Sequence, residues 1–275
     1  ALGTDPSTLA KAVGRLEASL GLRLFHRTTR QVRLTGDGEQ LFERCQRVLA
    51  ELDELQTAAA GNRAQISGAL RVNMPIVYGR KVILPVLARL VQKHPGLTLD
   101  VRLTDAYVDL VRDGIDVAIR AGALSDSSLA ATRIDSQQLI LVAAPQYLQA
   151  HSTPATIKDL AKHQHVVFRM PTNGRDRPQQ FRVRGRTHTL EPAHSNRFDD
   201  GEAMVGAAVM GLGLTQVPDY MAEDELADGR LVEVLPKLRP PVMPIYAVMP
   251  GNRMVPARVR VLLDALQTLP GARRQ

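Results

Sequence analysis

The sequence has no tryptophan, only 4% aromatic residues and a single cysteine, Cys45, among its 275 residues. One cysteine cannot form a disulfide within the chain, and it excludes metal sites built from several thiolates. No run of about 18 apolar residues occurs, so we expect no transmembrane helix, and the N-terminus does not have the pattern of a signal peptide. These absences predict a soluble, cytoplasmic protein with no metal site and no cofactor.

Sequence motifs of the common enzyme classes are also absent. None of the seven histidines stands in an HExxH pattern, and there is no GxSxG elbow and no P-loop. His163 and His165 flank one glutamine, a spacing that arises readily by chance, and GLGL at 211–214 lacks the third glycine of a dinucleotide fingerprint. We therefore predict no catalytic residues and no enzymatic activity.

Basic residues are abundant and unevenly distributed. The formal net charge is +7 and the sequence pI is about 9.9. Between residues 7 and 33, six lysines and arginines stand against one glutamate, a net charge of +5 within 27 residues. A basic excess concentrated in one short segment favours a polyanionic partner for that segment.

Residues 5–21 have the pattern of an amphipathic helix. Asp5 is a favourable N-cap, Pro6 suits the first helical position, and Gly21 ends the helix. One face carries an apolar stripe with helical spacing, formed by Leu9, Val13, Leu16 and Leu20. The opposite face is small, polar and basic, with Ser7, Thr8, Lys11 and Arg15. Such a helix fits the major groove of double-stranded DNA, although a solvated helix face can have the same composition.

The segment FHRTTRQVRLTGDG, residues 25–38, predicts a basic hairpin with two short strands. Apolar residues can face a small core, namely Leu22, Leu24, Val32 and Leu34. Between the strands lies an exposed tip of His26, Arg27, Thr28, Thr29 and Arg30. A basic hairpin directly after a groove-fitting helix is typical of a DNA-binding wing, whose arginines contact phosphates. The alternative is a surface hairpin without a partner, which the combination of helix and hairpin disfavours.

A long helix from residue 36 to about 60 is predicted next, with Thr35 as its cap. Its apolar residues recur at spacings of 4 and 3, a period of 3.5 that is typical of a coiled-coil seam. The predicted dimerisation seam comprises Leu41, Cys45, Val48, Leu52 and Leu55. The pattern favours self-association over the alternative, packing against the second domain of the same chain. Residues 61–65 form the candidate linker.

Beyond the linker the pattern changes to that of an α/β fold. Strands are predicted at 70–72, 97–103, 115–119, 139–143, 212–217 and 245–248, and helices at 82–91, 108–112, 204–210 and 259–269. This alternation indicates parallel βαβ units, and about 200 residues suit two lobes with a ligand-binding cleft between them. Arg182, Arg184 and Arg186 alternate, which predicts one basic side of a strand; a solvated face is favoured over anion binding.

Several segments in a fixed order carry a family resemblance. They are DPSTLAKAVGRLEASLGLRLFHRTTRQVRLT, GALRVNMP, HPGLTLDVRL, VDLVRDGIDVAIRAG, SSLAATR, AAPQYL, DDGEAMVGAAVMGLGL and PIYAVMP. Along essentially its whole length the chain resembles the LysR-type transcriptional regulators. The resemblance implies a partial winged helix-turn-helix at 1–35, a linker and dimerisation helix with a hinge at 36–67, and a two-lobed, periplasmic-binding-protein-like (type 2) effector domain at 68–275. Lobe I is expected at about 68–142 and 247–275, and lobe II at about 143–246.

The resemblance also implies roles for individual residues. Ser7, Thr8, Lys11 and Arg15 match the recognition-helix face, and Arg27 and Arg30 match the wing. An effector cleft would be lined by Asn73, Met74, Pro75, Ile76, Arg120, Gly122, Asp199, Asp200, Gly201, Val217 and Pro218. The implied partners are double-stranded operator DNA, a small-molecule effector and further copies of the chain in a homodimer or homotetramer. RNA polymerase is a further candidate partner, and no membrane is involved.

The mechanism that follows is allosteric. Effector binding would favour one arrangement of the lobes, and the linker helices would transmit it to paired DNA-binding units. The alternative function is that of a solute-binding protein with the same two-lobed fold and no DNA function.

The chain departs from the family pattern at several points. Family members carry a first helix and a complete second helix before the point where this chain begins, so we expect the chain as written to bind operator DNA weakly or not at all. Relatives commonly have serine or threonine in place of Asn73 and asparagine in place of Asp199. A carboxylate at 199 would either repel an acidic effector or cap the helix that starts near Gly201. Residues 178–181 replace a pattern that often holds a tryptophan, which alters either the cleft or only the surface.

Overall fold

The structure is a computed structural model that describes residues 6–27, 32–42, 44, 45, 48, 66–122, 129–251 and 255–269. The chain divides into two compact units, Ala1–Gln65 and Ile66–Gln275, so the division falls at the end of the predicted linker. Across the described ranges, no helix has the length and apolar character needed to cross a lipid bilayer.

The N-terminal unit contains the predicted helix and hairpin. Helix α1 spans Pro6–Leu20, and strands β1, Phe25–Arg27, and β2, Val32–Leu34, pair antiparallel. Glu17 fixes the hairpin to α1, because its carboxylate accepts a hydrogen bond from the backbone N–H of Leu24 at 2.8 Å. The helix and the hairpin are therefore confirmed, whereas the predicted cap at residue 5 and the tip residues 28–30 lie outside the described residues.

The second helix of this unit, α2, is helical at residues 36–42, 44, 45 and 48. Thr35 caps it as predicted, because its hydroxyl oxygen accepts from the N–H of Gly38 at 3.0 Å and donates to the carbonyl of Arg23 at 2.6 Å. A Cβ at Gly38 would lie 2.0 Å from the carbonyl oxygen of Leu24, so only glycine fits where α2 meets the hairpin. The rest of the predicted helix, with Leu52 and Leu55, lies outside the described residues.

The second unit alternates strands and helices. Its strands are β3 Ser67–Met74, β4 Gly96–Leu103, β5 Val117–Ala121, β6 Leu129–Gln137, β7 Leu139–Ala143, β8 His165–Phe168, β9 Gln179–Val183, β10 Arg186–Leu190, β11 Ser195–Phe198, β12 Leu214–Pro218, β13 Val232–Val234 and β14 Met243–Pro250. Helix α3 is continuous from Ile76–Tyr78 through a π-helical stretch, Gly79–Ile83, to Leu84–Lys93. The other helices are α4 Pro145–His151, α5 Gly201–Val209, α6 Glu223–Ala227 and α7 Ala257–Leu266.

Two five-stranded sheets organise this unit into two lobes. The sheet of the first lobe has the order β4-β3-β5-β14-β6, in which β4, β3 and β5 are parallel and β14 is antiparallel to its neighbours. The sheet of the second lobe has the order β11-β8-β12-β7-β13, in which β11, β8 and β12 are parallel. Each lobe has its own apolar core, one around Leu70 and Leu87 and the other around Leu141 and Leu214.

The chain crosses between the lobes at two places, Gln138 and residues 235–242. Gln138 joins these crossings, because its side-chain Nε2 donates to the carbonyl oxygen of Pro240 at 2.8 Å. Both crossings lie earlier in the chain than the expected lobe boundaries at 142/143 and 246/247. Those boundaries fall inside β7 and β14, whose hydrogen bonds assign each whole strand to a single sheet.

The helix predicted at 108–112 is wrong, since a turn occupies residues 110–114. The Asp109 carboxylate accepts from the backbone N–H groups of Val111 and Arg112, both at 3.0 Å. These side-chain bonds supply a local alternative to helical pairing, and Gly114 ends the turn with a left-handed φ of 68°.

The single strand predicted across 182–186 is also wrong. Arg182 lies in β9 and Arg186 lies in β10, and these two strands pair antiparallel as a hairpin. Arg184 and Gly185 form its turn with φ values of 50° and 80°, so the three arginines do not share one side of one strand.

Candidate functional site

A cavity of about 460 Å³ lies between the two lobes of the second unit. Its first-lobe lining comes from Pro75, Tyr78, Thr104–Tyr107, Ile119–Gly122, Gln137, Met243 and Ile245. Its second-lobe lining comes from Phe168, Met170–Thr172, Arg177, Gly201, Met204, Gln216–Pro218, Tyr220 and Met221. These residues stand mostly at or just after the carboxyl ends of β3, β4, β5, β8 and β12, the edge at which open α/β sheets bind ligands.

Gly201, the first residue of α5, lines the cavity where the two lobes pack closely. A Cβ at this position would lie 2.9 Å from the sulfur of Met221 and 3.5 Å from a methyl group of Val77 in the other lobe. Asp200 caps the helix, because its carboxylate accepts from the N–H of Ala203 at 2.7 Å. A residue larger than glycine at 201 would therefore force the surrounding side chains to move.

Two tyrosines form a neutral wall of the cavity. Tyr78 donates its hydroxyl to the carboxylate of Asp135 at 2.8 Å, and its ring meets that of Tyr220 edge to face, with centroids 5.2 Å apart. Burial and then the nearby Asp135 raise the pKa of Tyr78 far above its usual range, and burial also raises the pKa of Tyr220. Both hydroxyls stay protonated at physiological pH and can offer polar contacts without charge.

Two arginines bring positive charge into the cavity. Arg120, at the end of β5, donates from Nη1 to the carbonyl of Ile119 at 2.9 Å, and its guanidinium carbon lies 5.8 Å from the centroid of the Tyr107 ring. Its Nη2 is buried and has no hydrogen-bond partner among the described residues. Arg177, which lies beside β9, lines the cavity from the second lobe. Burial lowers the pKa of both guanidinium groups.

Asp105 is the acidic residue of the described lining. Its carboxylate accepts from the backbone N–H of Ile76 at 3.3 Å. Burial raises the pKa of Asp105, the N–H of Ile76 opposes this shift, and the negative charge of Asp200 adds to it.

The structure brings together part of the predicted cleft. The predicted residues that line the cavity are Pro75, Arg120, Gly122, Gly201, Val217 and Pro218. The predicted residues outside the lining are Asn73, Met74, Ile76, Asp199 and Asp200. Asn73 is fully buried and donates from Nδ2 to the carbonyl of Arg102 at 3.1 Å, while Met74 belongs to the first-lobe core. Asp199 is exposed, and the carboxylate that caps α5 is the neighbouring Asp200 rather than Asp199.

Several residues of the cavity lining were not predicted from the sequence. Tyr78, Asp105, Tyr107, Arg177 and Tyr220 were not predicted to belong to the cleft. Residues 104–107 directly follow the strand predicted at 97–103, so the rule that ligands bind at strand carboxyl ends could have found them. No sequence signal ties Arg177 to this site.

The N-terminal unit exposes basic and apolar groups. Thr8, Lys11 and Arg15 are exposed on α1, as are Arg23 before the hairpin and Arg33 in β2. The side chains of Ser7 and Arg27 lie outside the described residues, as do Thr28, Thr29 and Arg30 entirely. The apolar stripe of α1 is also open, since Leu9, Leu16 and Leu20 are 42–44% exposed.

The described part of the predicted dimerisation seam is largely accessible in the single chain. Leu41 is half-buried, Cys45 is exposed and Val48 is 56% exposed. Phe42 beside them is 52% exposed. The described residues of the predicted seam therefore contribute exposed apolar area to the surface of the chain.

Two family models match the chain. The bacterial regulatory helix-turn-helix of the lysR family matches residues 1–39, and the LysR substrate binding domain matches residues 63–270. Among curated relatives, the transcriptional regulator PtxR of Pseudomonas aeruginosa is 33% identical over 270 residues, which cover 97% of this chain and 85% of the relative. The regulator CrgA of Neisseria meningitidis is 30% identical over 261 residues, 94% of this chain and 86% of the relative.

Solved structures show the same likeness. The full-length virulence activator AphB of Vibrio cholerae, described as a LysR-type regulator, has a TM-score of 0.64 at 27% identity and covers 98% of this chain and 91% of its own. The LysR-type regulator CrgA of Neisseria meningitidis has a TM-score of 0.64 at 28% identity and covers 96% and 90% of the two chains. With a substrate-binding domain over residues 63–270 and a helix-turn-helix match before it, the chain belongs to the LysR family of transcriptional regulators.

Proposed function

We propose that the chain binds operator DNA through its N-terminal unit and that a small molecule in the cavity between the lobes controls this binding. The observation that carries the proposal is the cavity of about 460 Å³ at the strand carboxyl ends, where an apolar lining holds a few polar groups. Small-molecule sites usually have this composition, and their volumes are about 300–1,000 Å³, a range that includes this cavity.

The DNA-binding part of the proposal rests on α1 and the hairpin. Exposed Lys11 and Arg15 share the polar face of α1 with Thr8 and, by helical spacing, Ser7, and this face suits the major groove. Arg27, Thr28, Thr29 and Arg30 would contact phosphates beside the groove. The boundaries expected after residue 35, between the DNA-binding domain and the linker helix, and after residue 67, between the linker and the effector domain, are part of this proposal.

The coupling between the two functions rests on the two-lobed architecture. A ligand that contacts both lobes stabilises one of their arrangements, and the crossings at Gln138 and residues 235–242 are the positions at which the lobes can turn. Paired α2 helices in a homodimer or homotetramer would hold two DNA-binding units at a fixed spacing on a partly palindromic operator. A contact with RNA polymerase belongs to the same proposal, and such a regulator acts in the cytoplasm, where bacterial DNA lies.

The experiment is a thermal-shift screen of metabolites, repeated on a variant with a blocked cavity. Ala106→Phe adds a ring at the cavity lining, and Ala150→Phe adds the same ring at an exposed position of α4 as the matched control. We expect a stabilising metabolite to lose its effect in Ala106→Phe and to keep it in Ala150→Phe. A metabolite that stabilises both variants equally would bind elsewhere and would contradict the assignment of the cavity.

A further inference from the structure

We infer that the cavity binds an organic monoanion with a flat, apolar body, and that the guanidinium of Arg120 pairs with its acidic group. This inference rests on the proposed function, because it names the chemical class of the effector that the cavity would take.

The first support is the unsatisfied donor on Arg120. One nitrogen of its guanidinium is used by the carbonyl of Ile119, whereas Nη2 is buried without a hydrogen-bond partner in the part of the chain that the structure describes. A buried polar group without a partner is costly, and the cost is greater for a charged one. An acidic group in the cavity would supply the missing acceptor through a charge-assisted hydrogen bond.

The second support is the contrast with arginines on the surface. Arg80, Arg197 and Arg239 each form an ion pair with a carboxylate although they are 43–46% exposed. Within the described ranges, Arg120 and Arg177 have no such pair although they are less exposed and line a cavity. Burial lowers the pKa of both guanidinium groups, because removing a charge from water costs free energy. An anion bound in the cavity would offset this desolvation cost.

The third support is the charge balance of the lining. The described lining contains two arginines and one carboxylate, that of Asp105. This carboxylate already accepts a hydrogen bond from the backbone N–H of Ile76. The described lining therefore has a net charge of +1 with Asp105 ionised. A single negative charge on the ligand neutralises it, whereas a cationic ligand would add to it.

The inference that the ligand has an apolar body rests on the aromatic and methionine side chains that line the cavity. The chain has ten aromatic residues, and four of them line the cavity, Tyr78, Tyr107, Phe168 and Tyr220. Four of its eight methionines line the same cavity. Aromatic faces favour flat partners, and methionines adapt to their outline. The four rings therefore favour a flat ligand, and the cavity volume leaves room for a ring with a short acidic side chain.

The test compares acids with their uncharged isosteres on the whole chain. The probes are phenylacetate against phenylacetamide and indole-3-acetate against indole-3-acetamide, measured by thermal shift and by isothermal titration calorimetry. We expect the acids to bind at least about tenfold more tightly than the amides, because a charge-assisted bond replaces a neutral one. Arg120→Gln should remove this preference, Arg120→Lys should keep part of it, and Arg177→Gln should weaken it. Exposed Arg175, outside the lining, provides the control Arg175→Gln, which should behave like the unchanged protein.

The outcomes separate this inference from the proposed function. Equal binding of acids and amides would overturn the anion inference and leave the cavity as the effector site. A preference for acids that survives in both Arg120→Gln and Arg177→Gln would also overturn it. If no acid and no amide binds, the inference fails, whereas the proposed function fails only if the wider metabolite screen also finds no ligand of the cavity. Circular dichroism of each variant checks that a lost preference does not reflect a lost fold.

Discussion

Arg80 in α3 and Glu202 in α5 form an ion pair that crosses from the first lobe to the second, with Arg80 Nη2 donating to Glu202 Oε2. Lys81 makes a second crossing contact, since its Nζ lies 2.8 Å from Asp224 Oδ2. Helices α3 and α5, which carry Arg80 and Glu202, begin at the cavity lining, after Pro75 and at Gly201. These pairs therefore favour the arrangement of the lobes seen in the structure.

Reversing the charge of Arg80 should weaken this arrangement. Arg80→Glu places like charges together, and we expect a two- to fivefold loss of cavity-ligand affinity, since exposed pairs contribute about 0.2–1 kcal/mol. Calorimetric titration measures this loss. The charge swap Arg80→Glu with Glu202→Arg should restore the affinity. If the swap binds ligand no better than the single reversal, the pair does not influence the lobes.

Replacing basic residues on the polar face of α1 with neutral ones should weaken operator binding. In the full-length protein we expect Lys11→Gln and Arg15→Gln each to lower the affinity by about 1–3 kcal/mol if the side chain contacts a base, and less if it contacts only phosphate. Arg27→Ala should reduce the slope of log affinity against log salt by about one. Fluorescence anisotropy with a selected operator duplex measures both quantities. Lys93→Gln removes an exposed charge of the second unit and is the control. Unchanged binding in all three variants would disprove the assignment of this face.

Two buried histidines should make the folded second lobe less stable at acidic pH. His165 is 1% exposed and accommodates a neutral ring, with Nε2 facing the carbonyl of Leu160 at 2.9 Å and Nδ1 facing the amide Nε2 of Gln179 at 3.1 Å. His163 is 4% exposed, and its Nδ1 lies 3.3 Å from the hydroxyl of Tyr147. Burial lowers the pKa of both histidines; His151 adds to the shift of His163, and His163 and His194 add to that of His165.

The sign of the pH effect follows from these depressed pKa values. As the pH falls below about 6.5, the unfolded chain binds protons that the folded chain does not, so stability is lost below that pH and regained above it. The opposing influences, Asp159 on His163 and the carbonyl of Leu160 on His165, reduce the loss without reversing it. Each histidine can contribute at most about 1.4 kcal/mol per pH unit.

Denaturant unfolding between pH 8 and pH 5 measures this loss. We expect His163→Gln and His165→Gln to flatten the dependence of unfolding free energy on pH, whatever their stability at pH 8. His188→Gln, at an exposed position of β10, should leave it unchanged. The same pH dependence in all the variants would show that these rings do not titrate on unfolding.

An acidic residue on the predicted seam should disrupt self-association. Val48→Asp places a charge where the seam would be buried, and we expect the oligomer to dissociate to monomers at concentrations where the unchanged protein is assembled. Gln40→Asp adds the same charge to an exposed position of α2 that is not part of the seam, and it should leave the oligomer intact. Sedimentation velocity distinguishes the two. Dissociation by both variants, or by neither, would contradict the seam.

The elements were predictable wherever apolar spacing was regular. The strand Leu139–Ala143 follows directly from it, because burial on a sheet imposes that pattern. Apolar spacing also located α1 and α7, although α7 spans Ala257–Leu266 where 259–269 was predicted. The helix expected at 108–112 failed because the Asp109 side chain competes for the backbone N–H groups, which a periodicity argument does not consider.

The candidate site was less predictable because it depends on strand ends and on distant segments. The first strand was predicted at 70–72 but continues to Met74, so Asn73 and Met74 pair within the sheet instead of lining the cavity. Arg177 reaches the cavity from the second lobe, far in sequence from Arg120, and only the packing of the two sheets brings them to one site.

The most direct test measures the linkage between cavity and operator in the full-length protein. With an acid that binds the cavity, the operator Kd should change by about fivefold or more, and the Kd of the acid should change by the same factor when operator DNA is present. Ala106→Phe should abolish both changes. An acid that binds the cavity and leaves the operator Kd unchanged would contradict the proposal that this site controls DNA binding.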